Sequence, residues 1–188
     1  LHDVFLDARW IDRTEVTGDQ FRAFLEVSGY QPVGPWRDWA AGMGMHPVIL
    51  VTWHDARAYC RWAERDLPTE AQWEQAARGI QARIYPWGDE LPKEYLCKSG
   101  NRIKTTTPVG SYPKGATPDF RILDMAGNVW EWVADWYEDG YYVKSPKQNP
   151  TGPTTGEERV LRGGCWINDD SWVRGATRIS SHQSSAGN

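Results

Sequence analysis

Cysteine is scarce in this chain. Its 188 residues hold three, at Cys60, Cys97 and Cys165. Three are too few for a disulfide framework, and an odd count leaves at least one unpaired within the chain. None forms a CxxC pair, which argues against a structural zinc site. Long apolar runs are missing as well; no stretch approaches the about 20 residues that a membrane helix needs. There is no basic stripe, and the net charge of −4 is spread over both signs, so no nucleic-acid partner is expected. Phenylalanine and methionine are few, at four and three.

Tryptophan takes their place, with twelve residues, alongside eighteen glycines and twelve prolines. That balance describes a loop-rich fold rather than a helical bundle, with indole N–H groups seeking loop carbonyls. The length suits one domain with one sizeable core.

Three short helices are predicted early in the chain. Thr17 with Gln20, Thr52 with Asp55 and Thr69 with Gln72 each have capping-box spacing. Phe21, Phe24, Leu25 and Ser28 form the inner face of the first helix; Ala56, Tyr59, Cys60 and Ala63 that of the second; Trp73, Ala76 and Ala77 that of the third. Gly29 and Gly79 stop the first and third, Pro68 separates the second from the third, and Cys60 reads as a small core residue. Val4–Ile11 has strand-like content. Beyond Gly79 helical periodicity is lost, and loops with short strands are expected. Arg159–Trp166 reads as a strand entering a Gly-Gly bend, followed by a polar tail from Ile167 to Asn188. The class is α+β.

Asp124 to Tyr137, DMAGNVWEWVADWY, is the densest stretch. Trp130, Trp132 and Trp136 share one parity, so an extended strand would set them on one face. Gly127 and Asn128 mark a tight turn, and the acids at 124, 131 and 135 need partners or a metal if buried. A core strand behind a turn and an oxygen-ligand cation site are both open on spacing alone.

Taken together, IDRTEVTGDQFRAFLE, HPVILVTWHDARAYCRWA, LPTEAQWEQAARG, YPWGDE, TPVGSYP, DMAGNVWEWVADWY and RVLRGGCW resemble, in order, the formylglycine-generating enzyme family, the sulfatase-modifying-factor domain. The resemblance covers nearly all of Ile11 to Asn188. It implies a variant of the C-type lectin fold with little regular secondary structure. It also implies a single domain over residues 1–188 that is truncated at both ends. The family's calcium site maps onto Asp124, the Gly127 and Val129 carbonyls and Glu131, and its second site onto Asn101 and Arg102, where the acidic partner loop is shortened to Thr105–Thr107.

The family's catalysis does not carry over. Active members hold copper and oxidise a substrate cysteine with two cysteines beyond the Gly-Gly bend. Those positions are Asn168 and Val173 here, and neither side chain replaces a thiolate. Cys165 stands alone where the family has Ser, and copper is not expected. The histidines His2, His46, His54 and His182 lack the ligand spacing of the related iron-dependent sulfoxide synthases.

Three functions follow from the resemblance. The first is a non-catalytic, calcium-stabilised domain acting as a ligand-binding or accessory subunit, possible within a larger complex and placed outside the cytosol. The second is a variable ligand-binding protein of a diversity-generating retroelement, with its surface after the bend. The third is a copper- or iron-dependent oxidase. For the binding readings the candidate ligand residues are Trp166, Asn168, Asp169, Asp170, Trp172, Arg174 and Arg178.

Overall fold

The computed structural model describes residues 3–36, 43–90, 96 and 105–187. The expected helices form with the expected caps. Helices α1 (Gly18–Ser28), α2 (Trp53–Trp62) and α3 (Glu70–Arg78) each start at a threonine whose side chain accepts the N–H of the third helical residue, while that residue's side chain returns the bond. Each box satisfies two amide donors that would otherwise lack partners. Gly29 ends α1 in the left-handed conformation, with φ +68°. Later elements are a 3₁₀ turn at Pro113–Gly115, strand β1 (Glu131–Trp136), a short helix α4 (Tyr141–Lys144), and strands β2 (Glu158–Arg162) and β3 (Arg178–His182). No described helix is long and apolar enough to cross a membrane.

The strands form one antiparallel sheet in the order β1-β2-β3. Helix α3 packs on it through Trp73, Ala76 and Ala77, which meet Ile122, Met125, Val133 and Val160 in one buried cluster. Phe21 and Phe24 from α1 pack with Val51 and the partly buried Tyr59 of α2 in another. The indoles find oxygen partners. Trp53 Nε1 donates to the Val133 carbonyl at 2.8 Å, and Trp132 Nε1 to the Val51 carbonyl at 3.2 Å. These bonds tie helix and loop to β1 while burying large rings, so stability comes from packing at several sheet–loop seams.

The structure corrects four expectations. Val4–Ile11 forms no strand; Phe5 makes one isolated bridge, to Gln148. The polar tail does contain a strand, β3, whose residues are all at least partly exposed and so carry no apolar signature. Trp130, Trp132 and Trp136 do not share a buried face: Trp132 is buried and the others are partly exposed, since Trp130 precedes β1 and a bulge interrupts the β1–β2 register between Trp132 and Trp136. Cys60 is partly exposed rather than enclosed.

Candidate functional site

The turn leading into β1 is built from left-handed backbone. Asp124, Gly127 and Asn128 have φ of +59°, +82° and +60°. Two residues with side-chain carbonyl oxygens tolerate that conformation better than most, and glycine adopts it freely. The turn is held from three sides. Asn128 Nδ2 donates to Glu15 Oε2 at 2.7 Å, and Thr107 N donates to Asn128 Oδ1 at 3.0 Å. Gly127 N donates to the Gly163 carbonyl at 2.9 Å, and Trp166 N to the Asn128 carbonyl at 3.0 Å. The turn and the Gly-Gly bend are therefore one unit.

Three carboxylates gather there. Asp124 accepts from Gly110 N at 2.6 Å, Glu131 from Trp73 Nε1 at 3.1 Å, and Glu15 also from Val129 N at 3.3 Å. None has an ion-pair partner among the described residues. Burial pushes the Glu131 carboxyl up to about 7, with Asp124 adding repulsion. Glu15 is raised well above the usual range by burial and then by Asp124 and Glu131, and burial raises Asp124. The Gly127 and Val129 carbonyls accept no hydrogen bond from described residues, unlike the Asn128 carbonyl between them. No three His, Cys, Asp or Glu side chains among the described residues make a metal-binding group by themselves. A cation at this turn would draw on main-chain oxygens as well. A cluster of carboxyls that resist ionising without a counter-charge, beside free main-chain oxygens, suits a hard divalent ion. Glu15 was not legible as part of this cluster, since it lies more than a hundred residues from the turn it holds. Asn101 and Arg102 lie outside the described residues.

A partly open cleft of about 800 Å³ reaches Glu15 and Glu131, with Tyr59, Cys60, Trp73 and Trp130 among its walls. The Cys60 thiol is pushed up to about 11 by burial and the nearby Asp66 and Asp12, so it stays protonated at neutral pH.

After β2, Gly163 and Gly164 turn the chain with φ of +94° and +76°. A Cβ on Gly164 would stand 2.9 Å from Val173 Cγ1, so glycine is needed for the close approach as well as for the turn. Val173 is fully buried with Tyr85, Leu96 and Ala126. Asn168 Oδ1 accepts from Cys165 N at 2.8 Å and from its thiol at 3.1 Å. Burial raises the Cys165 thiol, keeping it protonated and inert. The two positions where the resemblance places catalytic thiols thus serve packing and loop structure.

The remaining candidate residues divide by orientation. Asp169, Trp172 and Arg174 are exposed with Ile167 and Ser171, while Trp166 and Asp170 are half-buried. Trp172 meets Trp130 edge to face at 6.4 Å. Asp170 and Arg174 act on the neighbouring Tyr85 phenol, which burial raises most; Tyr85 stacks on Trp87 at 5.3 Å. Trp130 and Trp172 give the outer face an aromatic patch, with charges of both signs on the same segment, while Tyr85 lies beneath it in the core. Arg178 lies elsewhere: its guanidinium binds buried Glu70 at 2.7 and 2.8 Å.

Residues 1–188 match the family described as the sulfatase-modifying factor enzyme 1-like domain. The formylglycine-generating enzyme of Streptomyces coelicolor is 36% identical over 251 residues, covering 100% of this chain and 78% of that enzyme. The serine/threonine-protein kinase pkn1 of Chlamydia caviae is 38% identical over 192 residues, covering 90% of this chain but 30% of the kinase. Among solved structures, Treponema denticola variable protein 1 superposes with a TM-score of 0.80 at 26% identity, covering 97% of this chain and 82% of that one. The fold is thus α+β, loop-rich and related to structures of this kind.

Proposed function

The chain belongs to the sulfatase-modifying factor enzyme 1-like domain family, and from that premise we propose that it is a non-catalytic member that recognises a ligand through the segment after its Gly-Gly bend. One observation carries the reading. Asn168 and Val173, at the positions of the active members' cysteines, fix the bend and fill the core instead. A thiolate pair is what holds Cu(I), and neither described cysteine, Cys60 or Cys165, pairs with another there. The aromatic surface around Trp130, Trp166 and Trp172 remains for binding, with Asp169, Asp170 and Arg174 at its edge.

Within that reading, a variable ligand-binding protein of a diversity-generating retroelement is favoured over an accessory subunit. Similarity to a protein named as variable extends over 97% of this chain, and the segment after the bend turns Ile167, Asp169, Ser171, Trp172 and Arg174 to solvent. The accessory reading draws on the similarity to one part of a kinase. The test is genomic. A near-duplicate of the coding segment for residues 166–187, beside a reverse-transcriptase gene, is expected. A locus without either overturns the variable reading.

Calcium at Asp124, the Gly127 and Val129 carbonyls and Glu131 is part of the proposal. It would neutralise buried charge and brace the turn against the bend, which supports the recognition surface without reacting. A lectin-like arrangement and a single domain over residues 1–188 are further parts of the proposal, and the family match over residues 1–188 supports them. A weakly held calcium site also favours a compartment outside the cytosol, where the ion is abundant.

A further inference from the structure

Strands β2 and β3 end at the recognition segment on an unfavourable pair. Arg162 and Arg178 are direct antiparallel partners, the last of the ladder, with residues 163–177 between them. Like charges set opposite each other destabilise a hairpin. A long loop adds closure entropy on top. Arg162 is fully buried, so its charge cannot be left to water.

Glu70, from helix α3, resolves this conflict. Its Oε1 accepts from Arg162 Nη1 and from Arg178 Nε, each at 2.8 Å, and its Oε2 accepts from Arg178 Nη2 at 2.7 Å. Glu70 is itself 1% exposed, and Tyr142 donates to Oε2 at 3.2 Å. Arg162 Nη2 also donates to Glu74 Oε2 and to the Gly175 carbonyl, each at 2.7 Å. The second of these bonds holds the far side of the segment from its base. Glu74 also binds Arg78 at 2.6 Å, so Glu70 is the carboxylate that bridges the two facing arginines, and the fork geometry of guanidinium fits carboxylate closely.

We propose that Glu70 is the clamp of the recognition segment, closing it at its base so that its outward side chains set specificity without carrying the fold. The proposal rests on the reading of that segment as a binding surface. It divides the segment in two. Cys165, Asn168, Val173 and Gly175 hold it from inside. Ile167, Asp169, Ser171, Trp172 and Arg174 face solvent; Asp169 must keep an acceptor for Ser171 N, at 2.9 Å, and the other four side chains can change. Glu70 is a positioning residue: it touches neither the surface nor any ligand, and it acts through the two arginines.

The test compares two sets of variants by melting and by amide hydrogen exchange. Replacing the outward set together (Ile167→Ser, Asp169→Asn, Trp172→Ser and Arg174→Ser) is expected to leave Tm within about 2 °C, as surface substitutions do. Arg178→Met removes one half of the clamp. It is expected to speed exchange across residues 164–177 by about ten-fold or more while α1 and α2 stay protected, because local opening is separable from global unfolding. Glu70→Gln should do the same more strongly; if it fails to fold, Arg178→Met decides. Unchanged exchange in the segment, or an outward set that melts as early as the Arg178 variant, overturns the proposal. Neither measurement uses a ligand. A clamped segment that binds nothing would therefore count against the proposed function alone.

Discussion

Asn168 and Cys165 form a closed local unit: one amide oxygen accepts from both the main-chain N–H and the thiol of Cys165, at 2.8 and 3.1 Å. The side chain that stands at a family thiolate position is therefore occupied in holding the bend. Its oxygen is engaged by Cys165, and burial keeps the Cys165 thiol protonated.

This pair gives the first prediction. Asn168→Ala leaves the buried Cys165 N–H without its acceptor and is expected to cost about 1–3 kcal/mol in urea unfolding. Cys165→Ser keeps a donor facing Asn168 and is expected to cost under about 1 kcal/mol. Equal costs would show that the amide is not what holds the bend.

The local parts of this architecture were legible and the long-range parts were not. Capping boxes connect residues three apart, so Thr17, Thr52 and Thr69 announced their helices. Gly163-Gly164 announced the bend, and the absence of a cysteine pair was plain at Asn168 and Val173. Strand β3 was invisible because RISSH is partly exposed along its whole length. Glu15 and Glu70 gave no signal because their partners lie far away in the chain, at Asn128 and Val129 and at Arg162 and Arg178. The parity of the three tryptophans misled because Trp130 precedes β1 and a bulge resets the alternation between Trp132 and Trp136.

Asp135 gives a pH dependence. Its Oδ2 accepts from Glu70 N at 2.8 Å, while the buried Oδ1 has no hydrogen-bond partner among the described residues. Burial is the main cause that pushes its carboxyl from 3.8 up to about 7, against the pull of the Glu70 N–H. Between those values the folded chain keeps a proton that the unfolded chain has lost. This contribution to stability is complete below about pH 4 and declines as pH rises through about 7. Asp135→Asn keeps the acceptor and removes the charge. Its stability relative to the parent is expected to climb from pH 4 to pH 8 by up to a few kcal/mol, on the order set by the shift. A difference independent of pH would contradict the assignment.

Calcium gives the third prediction. If the turn at Asp124–Glu131 holds the ion, saturating calcium after chelator treatment should raise Tm by roughly 5 °C or more, which is the scale of about 2–3 kcal/mol in a domain of this size. Asp124→Asn and Glu131→Gln should each remove most of the calcium response. A melting temperature indifferent to calcium would remove the ion from the account.

The central claim is that this fold is used for recognition and not for oxidation. Its most direct test is incubation of the full chain, in the presence of Cu(I), with a sulfatase-type cysteine peptide under oxygen, with the peptide followed by mass spectrometry and bound copper counted in parallel. The account predicts unmodified peptide and no stoichiometric copper, because Asn168 and Val173 supply no thiolates. Formylglycine in the peptide, or one tightly held copper per chain, would contradict it.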